Sequence, residues 1–227
     1  MDKTPFSPYD FFGYLASGFL FVLVVDFVTH AGWLVHGATP TVLAMAFWTA
    51  AAYVVGQILA TPSAWLLESV FVGRVLGRPE KILLGARAAR LAWLFPGYAA
   101  PLPAAIKARV VRKAEDLAGD PEALFLHAAA QARNQPGAAA RMGTFLNLYG
   151  FCRNVSFTLV LSAALLVGAA IVTGDAQARW MAAVAAVGSI GMFYRYLKFL
   201  RLHGAEILLA FESAPVPAAP AEGGAAR

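Results

Sequence analysis

The sequence predicts an all-α integral membrane protein: four transmembrane helices in two hairpins, with a small helical cytoplasmic domain between spans 2 and 3. Three observations carry this. Apolar residues make up 59% of the chain and charged residues 14%, against roughly 45–50% and about 25% in a soluble domain. The excess is gathered into runs, as membrane spans require. Between the runs lies a basic block, Arg74 to Arg153, holding twelve of the eighteen Lys and Arg residues. Such a block is costly to move across a bilayer, so it fixes how the rest threads.

The first hairpin occupies 1–74. Its N-terminus, Met1 to Asp10, is nearly neutral and reads as an uncleaved start, because a secretory signal wants a basic n-region and a short apolar stretch. Span 1 covers about 11–28 and is rich in Phe. Gly13 and Ser17 are four apart, a spacing that lets a neighbouring helix approach but that also recurs by chance. Span 2 covers about 42–60. Thr61-Pro62-Ser63 should interrupt it, because proline removes a backbone donor and crowds the preceding turn. Ser63 could then cap a short interfacial helix through Arg74.

The basic domain, 75–150, carries soluble-helix signals. Pro103 suits the first turn of a helix bearing Lys107, Arg109, Arg112 and Lys113 and ending near Gly119. Asp120-Pro121-Glu122 combines an N-cap carboxylate, proline at the first helical position and an acid in the first turn; that helix should end near Asn134. Gln135-Pro136-Gly137 opens the next. Arg87 and Arg90 precede an aromatic-rich patch, Leu91, Trp93, Leu94, Phe95 and Tyr98. It reads as an interfacial segment with Arg at anionic headgroups, or as the core of a small bundle.

The second hairpin, 151–212, has spans at about 155–173 and 180–200, separated by Thr173-Gly174-Asp175. The first half of span 4 is mostly Ala, Gly, Ser and Val, so it should be the helix buried among the others. Arg195, Lys198 and Arg201, interleaved with Tyr194, Tyr196 and Phe199, make an interfacial exit. Residues 213–227 lack large apolar side chains and should be disordered.

Orientation follows from the Lys/Arg bias of short loops. The loop after span 1 has no basic residue and the loop after span 3 has one, Arg179, while the middle has twelve. Both termini and the middle should face the cytoplasm of a multi-pass protein, in a bacterial inner membrane.

Candidate polar residues are few. Asp26 is the ionisable group deepest in an apolar run, and such a group is a functional candidate. His30, four residues on, would share its helix face. At 1.5 Å per residue Asp26 lies about 24 Å beyond Asp10, close to the outer interface, where solvation or a pair with Arg179 is the bland alternative. Gln57 lies near the far end of span 2. Arg153 and Asn154 sit at the entry to span 3, with Glu68 or Asp10 as partners for the arginine. The sole cysteine, Cys152, excludes an internal disulfide. His127 stands alone in an Ala-rich helix.

No cofactor or metal spacing is present. There is no phosphate-binding G-x-x-x-x-G-K-[ST] loop, no H-E-x-x-H and no G-x-S-x-G. The cluster Lys107, Arg109, Arg112 and Lys113 is followed by acids and lacks interleaved aromatics, so nucleic acid is the poorer target. Anionic lipid or a cytoplasmic protein suits it better. The function expected first is a non-catalytic, oligomerising scaffold, sensor or membrane effector working through the basic domain. A small channel or transporter using Asp26, His30 and Gln57 is the alternative. A membrane enzyme would need a polar pocket at the cytoplasmic mouth around Arg153, Asn154 and Glu68.

Overall fold

The computed structural model describes residues 8–34, 41–86, 90–114, 117 and 119–215. These residues are all-helical: α1 Pro8–Thr29, α2 Val42–Ser63 continuing as a π-helical segment Ala64–Leu76, α3 Pro79–Leu83, α4 Pro96–Ala99, α5 Ala104–Lys113, α6 Pro121–Arg133, α7 Pro136–Thr173 and α8 Ala176–Ser213. No strand occurs among them.

Among the described residues two helical stretches are long and apolar enough to cross a membrane, Val42–Leu83 and Pro136–Thr173, and Gly13–Thr29 is a shorter apolar helix. The 38 residues of α7 and of α8 make each about 57 Å long at 1.5 Å per residue, nearly twice a ~30 Å hydrocarbon core. They form one antiparallel hairpin with the most extensive helix–helix contact among the described residues. Its turn is short. Gly174 takes φ 72 as the left-handed C-cap of α7, and Asp175 accepts from the Gln177 amide at 2.8 Å to start α8. Halfway along, the Ser156 hydroxyl donates to the Ser189 carbonyl and the Ser189 hydroxyl to the Ser156 carbonyl, both at 3.0 Å. This reciprocal pair fixes the register.

In the apolar half the helices follow the order α2, α1, α7, α8, with α2 also touching α7. The α1–α2 crossing is backbone against backbone. A Cβ on Gly18 would stand 2.7 Å from the Ala52 carbonyl carbon and from the Gly56 nitrogen, and one on Gly56 would stand 2.6 Å from the Tyr14 carbonyl carbon. Small residues four apart, Ala52 and Gly56, permit this approach. The pair read from the sequence has another use: Gly13 faces Phe151 on α7, and the Ser17 hydroxyl donates to the Gly13 and Tyr14 carbonyls.

Three expectations need correction. Pro62 does not end span 2: Ala64 donates to both Ala60 and Thr61 carbonyls and the chain widens into the π-helical segment. Its wider spacing sets Leu67, Phe71, Val72 and Leu76 on one stripe against Cys152, Tyr196 and Leu197. Ser63 gives no side-chain cap; the end comes at Gly77, with φ 100. Secondly, α8 is not buried among the other helices. Ala178, Ala182, Ala185 and Ser189 face α7, but Val184 is 69% and Ile190 60% exposed, because α8 stands at the edge of the layer. Thirdly, α5 ends at Lys113, short of Gly119.

The lower halves of α7 and α8 are the frame of the basic domain. Leu83, Leu84, Leu102, Val110, Leu124 and Ala128 pack on Ala138 and Met142 of α7 and on Ala205, Ile207, Leu208 and Phe211 of α8. The stretch 201–213, grouped by sequence with the second hairpin, is therefore the central strut of this domain. The helix starts read from the sequence are present: Asp120 accepts from the Glu122 and Ala123 amides, and Pro136 opens α7. The tail beyond 215 lies outside the described residues.

Candidate functional site

The expected intramembrane residues do not converge. Asp26 is fully buried, and its carboxylate accepts from the amides of Trp33 at 2.7 Å and Leu34 at 2.9 Å. It thus holds the loop that leaves α1. His30 does not share its face: α1 ends at Thr29, and His30 turns out with φ 53. Gln57 donates to the Tyr53 hydroxyl at 3.0 Å. The Gly56–Tyr14 crossing puts it level with the start of α1, twelve residues or about 18 Å below Asp26.

Arg153 and Asn154 are brought together with Glu68. The Arg153 guanidinium is paired with Glu68 and also donates to Asn154 Oδ1 at 3.1 and 3.2 Å. Asn154 is 3% exposed, so its acceptor is filled where water cannot reach it.

The basic cluster is largely used within the chain. Lys113 Nζ donates to the carbonyls of Phe211 at 2.6 Å, Glu212 at 3.2 Å and Ala214, closing the C-terminus of α8, and lies over the Phe211 ring. A cation at a helix C-terminus also meets the negative end of its dipole. Arg109 pairs with Glu212 at 2.6 Å. Lys107 is half-buried beside Gly85. Arg112 and Arg90 are exposed; Arg87 lies outside the described residues.

Two of the cavities beside α8 lie where the apolar half meets the basic half. The first, about 560 Å³, has an apolar floor of Phe95, Tyr98, Leu197 and Leu202, with Arg195, Lys198 and Arg201 beside it and no acidic lining residue. Those cations recur every three residues of α8, so they form one row on the helix. The aromatic segment divides here. Phe95 and Tyr98 are buried, whereas Trp93 is 79% exposed and Leu91 and Leu94 stand out with it. Tyr194 donates to the Leu94 carbonyl at 2.9 Å and Arg201 to the Ala100 carbonyl at 2.9 Å, tying the segment to α8.

The second cavity, about 340 Å³, is polar. Glu68, Arg78, Glu80, Phe125, Tyr149, Tyr196 and His203 line it. Glu80 is 7% exposed. Burial pushes its carboxyl above the usual range, against the lowering effect of its own backbone amide and of Arg78. Nearby, Tyr98 donates to the Gly77 carbonyl at 2.8 Å, and burial pushes its phenol up. His203 Nδ1 lies 3.1 Å from the Met142 carbonyl. A carbonyl only accepts, so Nδ1 carries the proton and Nε2 is left as an acceptor. Burial holds this imidazole below its ordinary pKa. Of the polar pocket expected around Arg153, Asn154 and Glu68, only Glu68 lines this cavity; for the other lining residues the one available signal was Arg78-Pro79-Glu80, which reads as a helix start but says nothing of burial.

No group of three or more metal-ligating residues occurs among the described residues. Compared with protein-family models, with curated proteins and with solved structures, the chain has no match in any of the three.

Proposed function

We propose that this chain is a four-span membrane protein, both termini inside, that acts as a non-catalytic scaffold by seating its basic domain on anionic lipid headgroups at the cytoplasmic face. In this reading α1, α2, α7 and α8 each cross once, and the lower halves of α7 and α8 carry the domain in the cytoplasm. The observation behind it is the first cavity. An apolar floor beside three cations, next to exposed Leu91, Trp93 and Leu94, suits a phospholipid: acyl carbons on the aromatics, phosphate on the row Arg195, Lys198 and Arg201. An arginine or lysine near an anionic surface contributes about 1 kcal/mol, so the row supplies roughly a hundredfold preference for anionic over zwitterionic lipid. The exposed side of α8, Val184, Val187 and Ile190, is open to lipid or to a second copy, which is where oligomerisation would occur. A permeation path draws less support, since Asp26 and Gln57 lie at opposite ends of the α1–α2 pair.

The test is lipid retention by the full chain. Purified protein in mild detergent is offered phosphatidylglycerol and phosphatidylcholine together, and bound lipid is read by native mass spectrometry. Phosphatidylglycerol should be retained preferentially, and Arg195→Gln with Lys198→Gln and Arg201→Gln should abolish the preference. Equal retention of both lipids, or a preference that survives the triple variant, would refute the reading.

A further inference from the structure

The polar cavity on the other side of α8 has no part in lipid seating, and its chemistry is different. Three of its walls are aromatic: Phe125 from α6, Tyr149 from α7 and Tyr196 from α8. Its charged groups are unequally engaged. Arg78 is drawn to Glu122 at 3.2 Å, and Glu68 to Arg153. Glu80 takes part in none of the ion pairs among the described residues. With His203 held to Met142 through Nδ1, the open groups are mainly acceptors: the Glu80 carboxylate and the imidazole Nε2.

We propose that this cavity is a binding site for a small organic ammonium ion. The ammonium would sit between the Glu80 carboxylate and His203 Nε2, with its alkyl part on the aromatic walls. Ring faces attract cations, and a charge-assisted bond to a carboxylate is about twice as strong as a neutral one. The cation would supply the ion pair that Glu80 does not make among the described residues. A volume near 340 Å³ lies at the small end of ligand pockets, roughly 300–1,000 Å³, which favours a short-chain amine over anything of nucleotide size. An anion is disfavoured, because both nearby guanidinium groups are already engaged by carboxylates.

The test uses three ligands of one shape on the full chain in detergent: butylammonium chloride, sodium butanoate and butanol, at matched ionic strength and pH 7.5. Binding is followed by isothermal titration and by the shift in thermal midpoint. Butylammonium should bind saturably and raise the midpoint, while butanoate and butanol should not. Glu80→Gln, which keeps the side chain's shape, should weaken butylammonium at least tenfold, and Arg112→Ala, which does not line the cavity, should leave it unchanged. Equal response to butanoate or butanol overturns the proposal, as does a butylammonium response that Glu80→Gln leaves intact. The three-ligand comparison on the unaltered chain decides the matter even where the Gln variant does not fold. Retention of phosphatidylglycerol is read separately, so failure here leaves the lipid reading standing.

Discussion

The crossing of α1 and α2 gives a prediction whose sign depends on geometry. Alanine is normally a better helix residue than glycine by about 1 kcal/mol. At Gly56 the added Cβ would stand 2.6 Å from the Tyr14 carbonyl carbon and 3.0 Å from its Cα. Both are backbone atoms, so no rotamer change can make room. Ordinary contact begins near 3.4 Å, and the helices must part by about 1 Å. A gap of that size forfeits a quarter to a half of the dispersion well for the atoms along the crossing, and overpacking of this kind costs about 1–3 kcal/mol. Gly56→Ala should therefore destabilise the chain by about 1–2 kcal/mol net. Gly143 is the control. It lies on α7 with nothing within 4 Å of a built Cβ, so Gly143→Ala should stabilise by about 0.5–1 kcal/mol. Equilibrium unfolding in mixed detergent micelles measures both. If Gly56→Ala proves as stable as the parent, or both variants shift the same way, the close crossing is not what the structure describes.

Five further outcomes follow from named contacts. Glu68→Gln should cost about 1–2 kcal/mol, because it strands Arg153, whose side chain is 13% exposed; this is below the 3–5 kcal/mol of fully buried pairs because Glu68 is partly solvated. Adding Arg153→Met should recover part of that loss in a double-mutant cycle. Lys113→Met should open the end of α8, seen as faster amide exchange at residues 210–214 and about 1 kcal/mol of lost stability, whereas Arg112→Met should stay within about 0.5 kcal/mol. Glu80 has a raised folded pKa, so its contribution is complete below pH 4.5 and is lost as pH rises through the folded value. Glu80→Gln should thus raise the thermal midpoint at pH 7.5 and leave it unchanged near pH 4. His203 is the reverse case: its folded pKa is lowered, so the unfolded chain takes up the proton first and stability falls as pH drops below about 6.5. His203→Asn should flatten that limb. Finally, Tyr98→Phe should cost about 1 kcal/mol by orphaning the Gly77 carbonyl. Tyr196→Phe should be neutral or stabilising, since that buried hydroxyl has no hydrogen-bond partner among the described residues.

Local signals were legible in the sequence and non-local ones were not. Asp120-Pro121-Glu122 and Gln135-Pro136 marked helix starts because a cap is satisfied within three residues. Pro62 misled, since the rule that proline stops a helix does not foresee a widened turn that lets the chain run on. The Asp26–His30 face argument assumed that the helix persists, and α1 stops one residue before His30. In α8 the small residues marked a face that can approach a neighbour, but not whether a neighbour is there to cover the other side. The Lys107–Lys113 cluster was legible as charge. Its use was not, because the Phe211 carbonyl that Lys113 holds lies 98 residues away. The row Arg195, Lys198, Arg201 was visible because it is a single helical stripe. Of the polar cavity only Glu68 was legible, because Glu80, Tyr149 and His203 come from three other elements.

The two cavities share one stretch of α8, so their walls are mechanically linked. Arg195, Lys198, Arg201 and Leu202 face the apolar cavity; Tyr196, Leu200, His203 and Gly204 face the polar one. Side chains at i and i+3 or i+4 share a helix face, so the two sets are adjacent stripes on a helix that has no flexible joint between Ala176 and Ser213. The same helix is closed at its end by Lys113 and packed along its lower half by α3, α4, α5 and α6. A rotation of α8 that drew its cationic row toward headgroups would therefore turn Tyr196 and His203 relative to Glu68 and Glu80, which are held on the π-helical segment and on α3. Neither cavity can change its α8 wall alone. If lipid and an ammonium ion bind as proposed, a ligand that favoured one rotation of α8 would change the affinity of the other cavity, and that coupling would be reciprocal.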